Sequence, residues 1–295
     1  MSEPTLTDIL MRRASPHTRD WYPEHRPSAI RVFVGADCNN CDLESQAVLE
    51  HSIRKHTTRP VEITWMQQAA EGPWSGWQTA SARTPFSHYR WSIPAVCGYE
   101  GRAIYMDSDF IVLADIGELW DQDFAGVFAL RAGKGDQVVG GKIKTCCMLI
   151  DCGRAKGHIP TLDALRGLPD AQSSLTRYFR DRPTLVGAYE GDWNCIDGKG
   201  FEDLRDPQLK AVHYSRIETQ LHLKHASKRL AAEGRSHWYT GEVLTHWRPD
   251  LIALFDTLLE EALAAGYTLD RYRVTPFGAY EKKDFKYAQH KGAPA

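Results

Sequence analysis

Apolar residues in this chain fall into short, well-separated runs. IRVFV (30–34), VEITWM (61–66), RAIYM (102–106), GVFAL (126–130) and TCCMLID (145–151) are rich in β-branched and aromatic residues, and turn-forming residues punctuate the chain between them. Runs of this length and composition predict strands. Between the first two, LESQAVLEHSIRKH places Leu43, Ala47, Val48 and Ile53 near a 3.6-residue spacing, with Asp42 positioned to cap the helix. FSHYRWSIPAVCG (86–98) predicts a short helix broken near Pro94, and an amphipathic helix is expected from about Pro249 onward. AAEGPWSGWQTASART (69–84), rich in glycine, tryptophan and small polar residues, predicts an exposed loop. Strands alternating with helices imply an α/β fold with a mostly parallel sheet, helices on both faces, and ligands at the carboxyl ends of the strands. The expected organisation is an N-terminal extension over 1–29, an α/β domain over 30–220 and a C-terminal helical region over 221–295 packed on it.

Composition narrows the function. With 295 residues, 42% of them hydrophobic and 25% charged, the chain is long enough for one large domain or two small ones. The net charge of −2 gives no electrostatic footprint for nucleic acid. No apolar run is long enough for a transmembrane helix, and MSEPTLTDILMRRASPHTRDW does not read as a signal peptide. Seven cysteines in such a chain read as reduced thiols of a cytoplasmic protein. The basic tail EKKDFKYAQHKGAPA is at most a weak anchor for an acidic surface such as the inner membrane face. Cys38 and Cys41 form CNNC, a pattern of zinc or redox modules, but there is no second CxxC to complete a zinc site. Cys146 and Cys147 read as small core residues.

The chemistry concentrates in AIYMDSDFIVLADIGELW (103–120), where Asp107 and Asp109 flank Ser108 at the end of a buried strand. Two acids at i and i+2 across a tight turn can direct both carboxylates at one divalent cation, and hard oxygen ligands suit Mg²⁺ or Mn²⁺. Asp-Ser-Asp is also ordinary turn chemistry. The stretch RTPFSHYRWSIPAVCGYEGRAIYMDSDFIVLADIGELW (83–120) resembles family 8 glycosyltransferases, the group containing glycogenin and bacterial lipopolysaccharide galactosyl- and glucosyltransferases. Arg90, Asp107, Asp109, Asp115, Leu119 and Trp120 stand where that pattern has its basic residue, D-x-D motif and helix start. IRVFVGADCNNCDLESQAVLEHSIRKH (30–56) is similar to the family's first strand, nucleotide loop and helix, and AVHYS (211–215) to its later strand ending in histidine.

That resemblance implies a GT-A fold, with 30–220 as the nucleotide-sugar-binding domain, and a metal-dependent, retaining transfer of a sugar from a nucleotide sugar, usually a UDP-sugar, with Mn²⁺ (or Mg²⁺). It implies Asp107, Asp109 and His213 as metal ligands, with Asp107 and Ser108 also near the nucleotide. Gly35, Ala36 and Asp37 would hold uracil and ribose, and Arg90 the donor phosphates. Asp192 and Asn194, with Glu190 as an alternative, would lie near the anomeric carbon. The family's H-x-x-G-x-x-K-P-W segment is replaced by HYSRIETQLHLKHA, where Arg216 or Lys224 is the candidate phosphate cation. Lys144, Thr145 and Cys146 stand where the family's fifth strand begins Asn-Ser/Ala-Gly. The sequence does not identify the acceptor; a glycan or lipid-linked molecule is the candidate, a protein or small molecule the alternative, with Trp74, Trp77, Trp238 and Tyr239 as candidate stacking faces. A sugar-1-phosphate nucleotidyltransferase and a non-catalytic nucleotide-sugar-binding protein of the same fold stand as the alternatives.

Overall fold

A computed structural model describes residues 28–77, 84, 86–131, 138–139 and 142–276. Most of the expected N-terminal extension, part of the 69–84 loop and the basic tail lie outside these residues.

The strands in chain order are β1 (Ile30–Gly35), β2 (Val61–Met66), β3 (Arg102–Asp107), β4 (Phe110–Val112), β5 (Phe128–Arg131), β6 (Val138–Val139), β7 (Lys142–Ile143), β8 (Cys147–Asp151), β9 (Val186–Tyr189), β10 (Cys195–Ile196) and β11 (Ala211–His213). The helices are α1 (Leu43–Lys55), α2 (Ile93–Val96), α3 (Ile116–Trp120), α4 (Leu162–Arg166), α5 (Ala171–Arg180), α6 (Leu223–Ala232) and α7 (Pro249–Ala264). Six strands form the main sheet in the order β2-β1-β3-β8-β5-β9. It is mostly parallel, with β8 running against both of its neighbours. A second sheet, β10-β11-β4, stands beside it, and β6 and β7 form a separate pair.

Burial on both faces explains why the central strands are apolar almost throughout. Phe33, Ala103, Tyr105, Met148 and Ile150 join one core, with Tyr89, Trp91, Phe128 and Phe179. Val32, Val34, Ile104, Met106 and Leu149 join the other, with Leu49, Ile53 and Ile116. Trp91 stacks on Phe179 at 5.6 Å between ring centroids. The 69–84 segment departs from its expectation of exposure. Trp77 is buried in the first core and Trp74 packs against it, because indole area adjacent to Tyr89 and Ser92 is better covered than solvated. Pro94 opens α2 rather than breaking a helix; a 3-10 turn over Tyr89–Ser92 precedes it. Among the described residues, no helix is long and apolar enough to cross a membrane.

A third core joins Leu43, Ala47 and Val48 of α1 to Leu251, Phe255, Leu258 and Ala262 of α7. The tie is reinforced at Asp42. Its side chain makes no capping bond to α1. Instead Asp42 Oδ1 faces Nε2 of His222 at 3.0 Å and Nε2 of His237 at 2.7 Å, and Trp238 donates its indole N–H to Oδ2 at 3.3 Å. His237 Nδ1 accepts the Tyr239 backbone N–H at 2.9 Å, so its proton sits on Nε2 and is donated to Asp42. Burial alone pushes the Asp42 carboxyl up, but the electrostatic pull and hydrogen bonds of His237 and His222 outweigh it and hold the group well below the ordinary carboxylate range.

Asp42→Asn is therefore expected to lower the free energy of unfolding at neutral pH by about 2–3 kcal/mol, read by urea titration. Because the folded-state value lies below the ordinary one, about 3.9, the contribution is complete above that pH and is lost as pH falls beneath it. Wild-type stability should drop more steeply than that of the variant below about pH 4. Parallel acid profiles would rule out Asp42 as the charged acceptor.

Candidate active site

The site is built by two strand registers. In the main sheet Gly35 at the end of β1 pairs with Asp107 at the end of β3. The chain then turns through Ser108 and Asp109 into β4, which leaves the main sheet and pairs with β11, setting His213 opposite Phe110. The two rings stack with centroids 4.2 Å apart, and the Tyr214 N–H donates to the Asp109 carbonyl at 3.1 Å. The Asp-Ser-Asp turn is thus the hinge between the two sheets, and β11 delivers its terminal histidine to it.

Each of three side chains has one polar atom held by the protein and turns another inward. Asp107 Oδ1 accepts from Arg90 Nη2 at 2.9 Å and from the Tyr105 hydroxyl, while its Oδ2 lies 3.9 Å from His213 Nε2. Asp109 Oδ2 accepts from Gln220 Nε2 at 2.7 Å, while its Oδ1 lies 3.2 Å from the same His213 Nε2. His213 Nδ1 meets Asn194 Oδ1 at 2.9 Å. An amide oxygen there accepts the Nδ1 proton and leaves the Nε2 lone pair for the centre, the arrangement that metal-binding histidines adopt. Burial pulls the His213 imidazole down, but Asp109, with Cys146, reverses this and raises it well above its ordinary value. Burial pushes the Asp109 carboxyl up, and His213 outweighs that and holds it low.

Ligand atoms of Asp107, Cys146 and His213 all lie within 4.8 Å of one another, and Asp109 Oδ1 stands outside that group and approaches it at His213 Nε2, 3.2 Å away. A divalent cation fits between the Asp107 carboxylate and the His213 imidazole, whose remaining atoms are already bonded. The Asp42–His222–His237 group is equally compact. It fails the same test, since a metal on His237 Nε2 would need a proton on Nδ1, which would then face the Tyr239 N–H.

Arg90 is 6% exposed, and each guanidinium nitrogen is engaged: Nε with the Ser87 carbonyl, Nη1 with the carbonyl and hydroxyl of Thr145, and Nη2 with Asp107. Asp192 is buried beside β11. Its Oδ1 accepts the Asn194 N–H at 3.2 Å, and its backbone bonds Gln208, Lys210 and Ala211. Ser108 is buried in the turn. At the end of β1, Ala36 donates its N–H to Met66, and the Asp37 carboxylate accepts the N–H groups of Asn39 and Cys41. A side chain at Gly35 would meet Phe86 at 3.0 Å and the Tyr105 hydroxyl at 3.4 Å, so glycine lets these elements close against Asp107. Lys224 is exposed in the first turn of α6, and among the described residues nothing joins it to the acidic pair.

Cys146 and Gln220 are the participants the sequence did not reveal. Only the antiparallel register of β3 with β8 brings Cys146 beside Asp107, where the Asp107 N–H donates to its carbonyl at 3.0 Å. Trp238 and Tyr239 are buried. Trp247, 43% exposed, instead lines a cavity of about 410 Å³ with Asp197, Lys199, Glu202 and Arg248. The cavity touches the site through Asp197, whose N–H donates to the His213 carbonyl at 2.7 Å.

No family model matches the chain. Among solved structures it is similar to the galactosyltransferase LgtC in complex with donor and acceptor sugar analogs, with a TM-score of 0.52 and 10% identity over 79% of this chain and 96% of that one. The apo-form glycosyltransferase GlyE of Streptococcus pneumoniae matches with a TM-score of 0.50 and 16% identity over 81% of this chain, which spans 64% of GlyE. The chain spans 47% of the bifunctional glycosyltransferase WbbM, whose apo structure it resembles with a TM-score of 0.47 and 14% identity over 66% of this chain. The mixed sheet with flanking helices is therefore the GT-A fold. In sequence, Protein CDI of Arabidopsis thaliana is 30% identical over an alignment of 205 residues that covers 63% of this chain and 78% of that protein. By that relationship, the chain belongs to the family of Protein CDI.

Proposed function

We propose that the chain is a metal-dependent, retaining glycosyltransferase of the family 8 type, moving a sugar from a nucleotide sugar, UDP-linked in the leading case, to a glycan or lipid-linked acceptor. The observation that carries this reading is the approach of two carboxylates to one imidazole nitrogen at the carboxyl edge of the sheet: Asp107 Oδ2 at 3.9 Å and Asp109 Oδ1 at 3.2 Å from His213 Nε2. A divalent cation held there supplies Lewis acidity to a departing diphosphate.

The protein groups divide the remaining work. Asp107, Asp109 and His213 are the cation ligands, and Gln220 and Asn194 fix the orientation of the latter two. Arg90 acts through Asp107: with its nitrogens bonded inside the protein, it holds the carboxylate rather than a phosphate. The β1 end at Gly35, Ala36 and Asp37 is the uracil and ribose side, and Ser108 borders it. Asp192 reaches the site through Asn194, and these two are the candidates beside the anomeric carbon. The 410 Å³ cavity at Trp247 is of a size suited to a small ligand and is the candidate acceptor space. One observation favours a second reading, nucleotide-sugar binding without transfer. Arg90 is fully engaged, Arg216 is paired with Glu218 at 2.5 Å and Lys224 is exposed on α6, which leaves the departing diphosphate without an assigned side-chain cation.

Calorimetry should show UDP binding that requires Mn²⁺ or Mg²⁺ and weakens by more than about 100-fold in Asp109→Ala. Metal-independent binding, or none to UDP, GDP or ADP, would refute the transferase reading. Arg90→Lys should weaken metal affinity about 10- to 100-fold, with the far-ultraviolet circular dichroism spectrum unchanged. Given UDP-sugar and a supplied acceptor, proton NMR should find the new anomeric linkage in the configuration of the donor; an inverted linkage would overturn retention, and metal-linked binding without product would leave the binding-only reading.

A further inference from the structure

Two adjacent cysteines stand where the chain enters β8. Cys147 is buried among Ile104, Met106 and Leu149. Cys146, one residue before the strand, is only partly buried against the same apolar core and stands at the carboxyl edge of the sheet. Its Sγ lies within 4.8 Å of ligand atoms of both Asp107 and His213. Tetrahedral ligands at about 2.0–2.3 Å from a common ion stand about 3.3–3.8 Å apart, so closing the group by up to about 1 Å brings all three onto one ion. The Asp107 N–H bonded to the Cys146 carbonyl holds the two backbones in this relation.

We propose that Cys146 is a direct ligand of the cation, so that the centre is a mixed oxygen, nitrogen and sulfur site selecting zinc-class ions over Mg²⁺. The inference rests on the reading of Asp107, Asp109 and His213 as a cation site. It adds a ligand that the resemblance does not supply, since that reading uses only the acidic pair and the histidine. The chemistry follows from the donor atoms. Mg²⁺ requires near-octahedral oxygen coordination and gains little from sulfur, whereas thiolate and imidazole favour Zn²⁺ and Co²⁺.

The test uses the full chain stripped with chelator and titrated with Co²⁺ alone, followed by absorption spectroscopy. The wild type is expected to show visible d–d bands together with a near-ultraviolet sulfur-to-cobalt charge-transfer band. Cys146→Ser should lose the charge-transfer band while keeping the visible bands, and its Zn²⁺ affinity, measured by competition with a chromophoric chelator, should fall at least about tenfold with Mg²⁺ affinity unchanged. Cys41→Ser, a control for the other thiols, should match the wild type. Visible bands without charge transfer in the wild type, or a charge-transfer band that survives Cys146→Ser, would overturn the sulfur ligand and leave the three-residue cation site intact. Absence of any cobalt band would overturn the cation site itself.

Discussion

A guanidinium cannot shed its charge, so one taken out of water must find partners for its donors or destabilise the fold by several kcal/mol. Arg90 meets that demand by bonding three pieces of chain that are distant in sequence: the Ser87 carbonyl, Thr145 just before β8, and Asp107 at the end of β3. Its guanidinium also lies over the Tyr105 ring at 4.5 Å. The geometry of the centre follows from this knot. With Oδ1 of Asp107 fixed by Arg90 and Tyr105, only Oδ2 is left to turn toward His213, and the mouth of β8 is drawn alongside with its cysteine.

The second sheet supplies the other half. β4 is only three residues long, too short to be stable unaided, but its antiparallel register with β11 is set by Phe110 packing on His213. The main sheet thus offers the acids and the small sheet offers the imidazole, and the turn between them need only be tight. Asn194 and Gln220 then remove rotational freedom from the histidine and from Asp109. A centre assembled this way is rigid before any ligand arrives, which reduces the ordering cost of binding.

What could be read from the sequence was local. The apolar runs at 30–34, 61–66, 102–106, 126–130 and 145–151 became strands of the main sheet because burial on both faces requires continuous hydrophobicity. Asp115 caps α3 through the Gly117 N–H as its position suggests. The acidic pair at a strand end and the histidine closing AVH meet across the second sheet. The features that escaped depend on long-range register or tertiary burial. Asp42 has the residue type and place of a helix cap, but its carboxylate is claimed by histidines 180 and 195 residues later. Cys146 reads as core because adjacent residues in an apolar strand are indistinguishable until one knows which face meets the acids. Trp74 and Trp77, in a stretch of glycine and serine, look like surface and are covered by a core that local composition does not encode.

The Asp42 bonds also bear on the order in which the molecule is made. A carboxylate near the start of the domain receives its donors from residues that leave the ribosome nearly two hundred positions later. Closing so long a loop is slow compared with local helix or strand formation. Until it closes, the first helix begins beside a carboxylate that can stay charged only by remaining in water. The amino-terminal half therefore cannot reach its final packing during synthesis. The segments carrying His222 and His237 act as the clasp that fastens the loop after β1, which makes the C-terminal helices part of the domain's assembly rather than an appendage to it.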